Sequence, residues 1–382
     1  MARGIAADDM TTGTATGVAA DTTTAAGEAP TRRRATVKDV AREAGVSIGT
    51  VSRVIRQESS VTADIREKVE AAILRLGWQP SMAAQSMRGV RSRTIGFIFA
   101  DIRNPLYAEM VKGAEDLLSE HGYMLIVASS DGRPEREQAL IDRFSRWNVE
   151  GLLFSIEDES HPQVARALAR VDFPKVMIER AHDNADARVC ADHYRGTLHA
   201  AEYLLDLGHR RIGLISGGRR TWVGRSRLQA YRDAHASRGV PIDQRLLRLD
   251  SFSQSYGFRE TQLLLGLDEP PSAILALGMR LLAGVLPAVR SRRCVIPRDL
   301  SLVVSNDSEL AQLATPAISA IRYDPYALGR EAAQLLMKNL GHGERLSGTR
   351  LEIPTEFVMR ESCARIAPNP PAARPDEQQG GR

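Results

Sequence analysis

Between Thr36 and Gly77 apolar residues recur at helical spacing in three short runs. Val37, Val40, Ala41 and Ala44 make the first. Thr36 stands where a cap is needed, Asp39 follows three residues on as a shorter version of a capping box, and Gly45 ends the run. Ser47 is placed to cap the second, whose apolar side is Val51, Val54 and Ile55. The third starts with Thr62, carries Ile65, Val69, Ala72, Ile73 and Leu76, and stops at Gly77. Beyond Arg93 the pattern changes. Apolar runs of strand length at 95–99, 124–128, 151–155, 176–179, 211–216, 272–277 and 300–305 alternate with amphipathic stretches near 105–121, 135–147, 196–207, 224–238, 255–266 and 326–340. Strand, helix, strand in repetition predicts parallel sheets with helices on both faces. Roughly 270 residues built this way fit two similar lobes better than one oversized sheet. Ligands of such folds lie outside the carboxyl ends of the strands, so a cleft between the lobes is the predicted binding place.

Length and composition agree with this division. A chain of 382 residues exceeds one ordinary core. It contains no run of eighteen apolar residues, so no membrane-spanning helix is expected. Residues 1–35 are poor in large apolar side chains and rich in Thr, Ala and Gly, and 364–382 form a Pro-, Arg- and Gln-containing stretch; both read as disordered. Asp8 and Asp9 stand where a signal peptide would need an apolar run, so export is not expected. Cys190, Cys294 and Cys363 form no CxxC pair and have no histidines at finger spacing, which argues against a disulfide framework or a zinc site.

Charge separates the parts. The net charge is +4, yet residues 31–93 alone carry thirteen Lys and Arg against six acids, and residues from 94 onward sum to zero. Positive charge concentrated on one small module is the footprint of a polyanion partner. Two short helices joined at Gly45, with the small Ala41 facing the second and the run 47–53 exposing polar groups, predict a helix-turn-helix whose second helix enters the major groove.

The stretch from Thr36 to Ile55, TVKDVAREAGVSIGTVSRVI, resembles the amino-terminal signature of the lactose-repressor (LacI/GalR-like) family of bacterial transcriptional regulators. The likeness continues through Val61-Thr62, Leu76 to Pro80, Ala83 to Arg88 and Arg93 to Gly96, then Asn104-Pro105, Gly122-Tyr123, Leu207 to Ile212 and Thr315-Pro316, covering roughly residues 36 to 362. It implies an all-α helix-turn-helix domain at 36–80, a hinge helix and linker at 81–93, and at 94–363 an α/β, two-lobed, periplasmic-binding-protein-like (type I) domain for effector binding and dimerisation. The implied protein is a sequence-specific repressor, not an enzyme. It acts in the cytoplasm at the nucleoid, needs no cofactor or metal, and as a homodimer grips double-stranded, near-palindromic operator DNA under small-molecule control.

The resemblance also assigns positions. Thr36, Ser47, Ile48, Gly49, Thr50, Ser52 and Arg53 fall on the DNA-binding motif, with Ile48 and Gly49 where family members read bases. Gly49 offers no side chain, which shifts specificity toward Ile48, Arg53 and DNA shape. Met87, followed by Arg88, matches the hinge position that wedges a base step, and methionine can serve there. Tyr107, Glu179, Arg227, Gly278, Met279 and Asn306 align with the effector cleft. Sugar-responsive members carry an Asn-Asp pair at the Gly278-Met279 place and an Asp at the Asn306 place. Their loss predicts a less acidic, more apolar pocket, and an anionic or partly apolar effector held by Arg227 rather than a neutral sugar.

Rival readings fail on the residues. A solute-binding protein for uptake shares the two-lobed fold but has no use for residues 36–80. An enzyme on a doubly wound fold would show a G-x-G-x-x-G after a strand or a Walker loop, and neither occurs.

Overall fold

The computed structural model describes residues 35–56, 58–78, 91–342, 346 and 348–366. Most of the expected amino-terminal extension, the hinge with Met87 and Arg88, and the end of the tail lie outside the described residues. The chain divides into two compact units, Met1–Ser81 and Met82–Arg382.

In the first unit the described helices are α1 (Val37–Ala44), α2 (Ile48–Ile55) and α3 (Ala63–Leu76). Their ends follow from local chemistry. Thr36 Oγ1 accepts from the Asp39 amide, and the Asp39 carboxylate accepts from the Thr36 amide at 2.9 Å, a reciprocal capping box with Asp in place of the usual Glu. Gly45 ends α1 at φ +68°, in the left-handed region that a residue without Cβ enters at least cost. Ser47 Oγ accepts from the Thr50 amide at 3.1 Å and starts α2. Thr62 holds the cap position of α3 but makes no side-chain cap bond. Val40, Ala41, Val51, Val54, Val69 and Ala72 close the core among the three helices.

Among the described residues the second unit is built on two six-stranded sheets. The first holds β1 (Thr94–Phe99), β2 (Met124–Ser129), β3 (Gly151–Phe154), β4 (Lys175–Ile178), β5 (Ala187–Ala191) and β11 (Thr349–Ile353), ordered β2-β1-β3-β4-β5-β11 and parallel throughout. The second holds β6 (Ile212–Gly217), β7 (Leu247–Asp250), β8 (Ala273–Leu277), β9 (Ser301–Ser305), β10 (Ser319–Arg322) and β12 (Glu356–Val358), in the corresponding order β7-β6-β8-β9-β10-β12. Its β12 pairs antiparallel with β10, an exception to the expected parallel arrangement. The chain crosses between the sheets after β5, after β10 and after β11, so the lobes are joined at several points.

Flanking the first sheet are α4 (Pro105–Glu120), α5 (Pro134–Arg146) and α6 (Pro162–Arg170). Then follow α7 (His193–Asp206), α8 (Trp222–Ser237), α9 (Gln254–Leu265), α10 (Leu282–Ser291), α11 (Glu309–Leu313) and α12 (Pro325–His342). Side chains of β1 alternate between two cores: Ile95, Phe97 and Phe99 pack with Ala114, Leu117 and Leu118 of α4, while Ile98 packs with Ile141 and Phe144 of α5. With both faces covered, strands read as continuous apolar runs. Both sheets turn strand carboxyl ends toward one shared cleft, because residues that follow β1, β3 and β4 in the first sheet and β7, β8 and β9 in the second line it. Among the described residues no helix is long and apolar enough to cross a membrane.

Candidate nucleic-acid interface and effector cleft

Helix α2 buries Val51 and Val54 and leaves its amino-terminal side exposed. Ile48 is 40% exposed although apolar, and Gly49 beside it and Arg53 one turn later are exposed too. Ser47 and Thr50 are joined through their hydroxyls at 2.9 Å, which fixes the first turn. Thr36 is held in its own cap. Ser52 differs from these in exposure: it is 8% exposed, although it stands four positions after Ile48 and three after Gly49 on the same side of α2.

The cleft between the lobes is a cavity of about 270 Å³, lined among others by Tyr107, Glu179, Arg227, Gly278, Met279 and Asn306. All six residues expected there are brought together. Glu179 and Asn306 occupy matching places, each the first residue after the fourth strand of its lobe, and each takes a left-handed conformation, φ +60° and +68°. Such backbone conformations in residues with a Cβ cluster at binding sites.

Buried Glu179 accepts from the Ala191 amide at 2.7 Å and pairs with Nε2 of His193. Arg227 donates through Nη2 to Nδ1 of that imidazole at 3.2 Å and through Nη1 to the Leu277 carbonyl at 2.7 Å. Because arginine only donates, Nδ1 must be the acceptor and Nε2 must carry the proton to Glu179. His193 is therefore a neutral connector from lobe to lobe, and burial, the largest influence on it, holds its pKa below the usual imidazole range. Arg227 itself is buried, and no carboxylate lies within ion-pair distance of it among the described residues. Burial pulls its pKa below the usual guanidinium range.

Tyr107 is buried, stacked on Phe99 with ring centroids 4.9 Å apart, and its hydroxyl meets Ser155 Oγ at 3.3 Å. Asn306 Oδ1 accepts from the Tyr323 hydroxyl at 3.3 Å, while its Nδ2 is buried with no partner among the described residues. The acidity expectation needs correcting: Asp101, Asp131, Glu157 and Glu179 all line the cleft. The carboxylates missing at 279 and 306 strip lobe two alone. Three of these carboxylates have a cationic partner, Arg280 and Arg103 on Asp101, Arg136 on Asp131 and Arg180 on Glu157, while Glu179 accepts from the neutral His193.

Sequence reasoning missed Phe252, Arg280 and His193. Phe252 sits in the loop before α9, its ring beside Gly217 and Gly278 and 5.8 Å from the Arg227 guanidinium carbon. A single aromatic in a Ser-rich loop carries no periodic signal.

A helix-turn-helix head in a chain with a two-lobed, polar-walled α/β core defines the class of ligand-responsive DNA-binding regulators. Residues 36–81 match the family of bacterial regulatory proteins of the lacI type, and 201–363 match a periplasmic binding protein-like domain. The transcriptional regulator DegA of Bacillus subtilis is 30% identical over 87% of this chain and 98% of its own length. The ribose operon repressor of Escherichia coli is 32% identical over 86% of this chain and all of its own. Among solved structures, the lac repressor dimer bound to operator and the anti-inducer ONPF aligns with a TM-score of 0.74 at 26% identity, covering 87% of this chain and 100% of its own. The regulator CelR in complex with cellobiose aligns at 0.66 and 28%, over 86% and 100%. The chain belongs to the lacI family of bacterial regulatory proteins and is a DNA-binding transcriptional regulator.

Proposed function

We propose that this protein represses transcription as a homodimer on a near-palindromic operator, with α2 in the major groove and a small-molecule effector in the interlobe cleft. The observation that carries the reading is the exposed Ile48 at the start of a helix whose opposite side is the core of the head. An exposed apolar side chain there can touch a thymine methyl, and Arg53 can fork onto guanine or hold a phosphate. Two-fold protein symmetry requires a near-palindromic site. The domain boundaries follow: head 36–80, hinge 81–93, effector and dimerisation domain 94–363. Met87 in the hinge is the minor-groove wedge and Arg88 its phosphate contact. The working compartment is the cytoplasm, at the nucleoid.

Exposed apolar side chains support the dimer. Met124 and Val127 stand exposed on β2, an edge strand, and Phe258 and Leu263 on α9. A second copy covering them removes an open edge and two apolar patches from water.

The effector reading rests on Arg227, a buried cation with no carboxylate on it, and on the unpartnered Asn306 amide in the same cleft. A buried charge is costly until paired. An effector bearing a carboxylate or phosphate meets both groups, and Phe252 and Met279 offer its remainder an apolar wall. Footprinting the full chain on the DNA upstream of its own gene tests the proposal. Protection of a near-palindromic segment, with a hypersensitive central step that Met87→Gly abolishes, is expected; no protected segment would refute it.

A further inference from the structure

Among the described residues, three ion pairs between an acid and an arginine join the lobes with the acid always on the same side. Lobe one supplies Asp101, after β1, and Asp158 and Glu159, after β3; lobe two supplies Arg280, after β8, and Arg220 and Arg225, around the start of α8. Arg280 Nη1 donates to Asp101 at 2.6 Å, Arg225 Nη2 to Glu159 at 2.7 Å, and Arg220 stands 3.8 Å from Asp158. Glu159 does more than pair. Its side chain is 5% exposed, and its other oxygen accepts the Trp222 amide at 2.7 Å, the first N–H of helix α8. A carboxylate of one lobe thus satisfies an orphan amide at the positive end of a helix in the other.

The two close ties differ in what separation leaves behind. Asp101 also receives both Arg103 side-chain donors at 3.0 Å, so losing Arg280 strands no carboxylate. Glu159 has Arg225 as its one cation within 4 Å among the described residues; parting the lobes there would leave it only the Ala181 amide. Charge-assisted bonds to a buried acceptor are the strong kind, and those between exposed groups the weak kind.

We propose that closure of the effector cleft is set by this polarised seam of the chain's own charges, with Glu159 as the fixed tie and Asp101–Arg280 as the releasable one. The inference rests on the two-lobed cleft reading and does not depend on operator binding. Arg280 lines the cleft, so the releasable tie is the one within an effector's reach. Lobe separation then begins at the β1 and β8 loops.

Amide hydrogen exchange of the intact chain, without DNA or added ligand, tests this. Glu159→Gln and, from the other lobe, Arg225→Gln should each speed exchange in 218–225 by about tenfold, as expected for opening a charge-assisted tie. Asp101→Asn should speed 278–282 by only about threefold, as for a partly exposed pair. The exchanged pair Asp101→Arg with Arg280→Asp should return it toward the parent. Unchanged protection of β1 and β6 shows that the lobes themselves remain folded. Wild-type exchange at 218–225 in both Glu159→Gln and Arg225→Gln would overturn the proposal while leaving the regulator reading intact, as would an Asp101→Asn effect larger than theirs.

Discussion

A Cβ on Gly278 would stand 2.8 Å from Cδ1 of Phe252, closer than carbon atoms approach. The ring also fills the space beside Gly217, so Phe252 and the two glycines form one unit in the wall of lobe two. The missing asparagine at 278 is thereby explained: the volume belongs to an aromatic ring.

Gly278→Asn should therefore not restore a sugar site. It should destabilise the chain by roughly 1–3 kcal/mol in urea denaturation, the usual cost of overpacking. Adding Phe252→Ala should recover part of that loss. Full stability in Gly278→Asn alone would show that the ring moves freely.

If the cleft receives an anion, inorganic phosphate should raise the melting temperature more than chloride at matched ionic strength, because a ligand bound only by the folded state stabilises it. The excess should vanish in Arg227→Gln. An equal rise in both proteins would assign the effect to general exclusion of phosphate from the surface.

Glu137 on α5 is fully buried, with Oε1 accepting from the Glu157 amide at 3.1 Å and from Ser130, and Oε2 without a partner. Burial pushes its pKa from 4.5 to about 7, against the lowering pull of those hydrogen bonds. The folded chain then holds a proton that the unfolded chain gives up. Stability contributed by this group is complete at low pH and is lost as pH rises through about 7. The loss is of order 3 kcal/mol. Denaturation of Glu137→Gln across this window should show a flatter pH dependence than the parent; parallel curves would refute the buried proton.

Ile48→Ala should change the unfolding free energy of the chain by no more than about 0.5 kcal/mol, as for other exposed positions. Its effect should appear in DNA selection, where discrimination at one base step should fall by about 1 kcal/mol, the low end for a base contact. Equal discrimination by parent and variant would remove Ile48 from the reading face.

What the sequence disclosed follows the physics of burial. The strands around Ile95, Leu152, Ile212 and Leu275 are covered on both faces and therefore show as apolar runs. Three of the four edge strands do not: β11 alternates Arg350 and Glu352 with apolar residues, and β7 and β12 are short and partly polar, whereas the edge strand β2 is apolar enough to show. Helix α10 was hidden by Pro287 inside it. The capping residues Thr36 and Ser47 were legible because a cap acts within three positions. The Asp101–Arg280 tie spans 179 positions, and nothing local announces it. His193 likewise becomes meaningful only once Glu179 and Arg227 flank it.

The central claim is sequence-specific operator recognition. Its most direct test is titration of the full chain with duplex DNA from upstream of its own gene, against a shuffled duplex of equal composition, at several salt concentrations. The account predicts affinity for the upstream duplex at least about a thousandfold tighter and a steep linear fall of log affinity with log salt. Equal affinity for both duplexes at every salt concentration would contradict it.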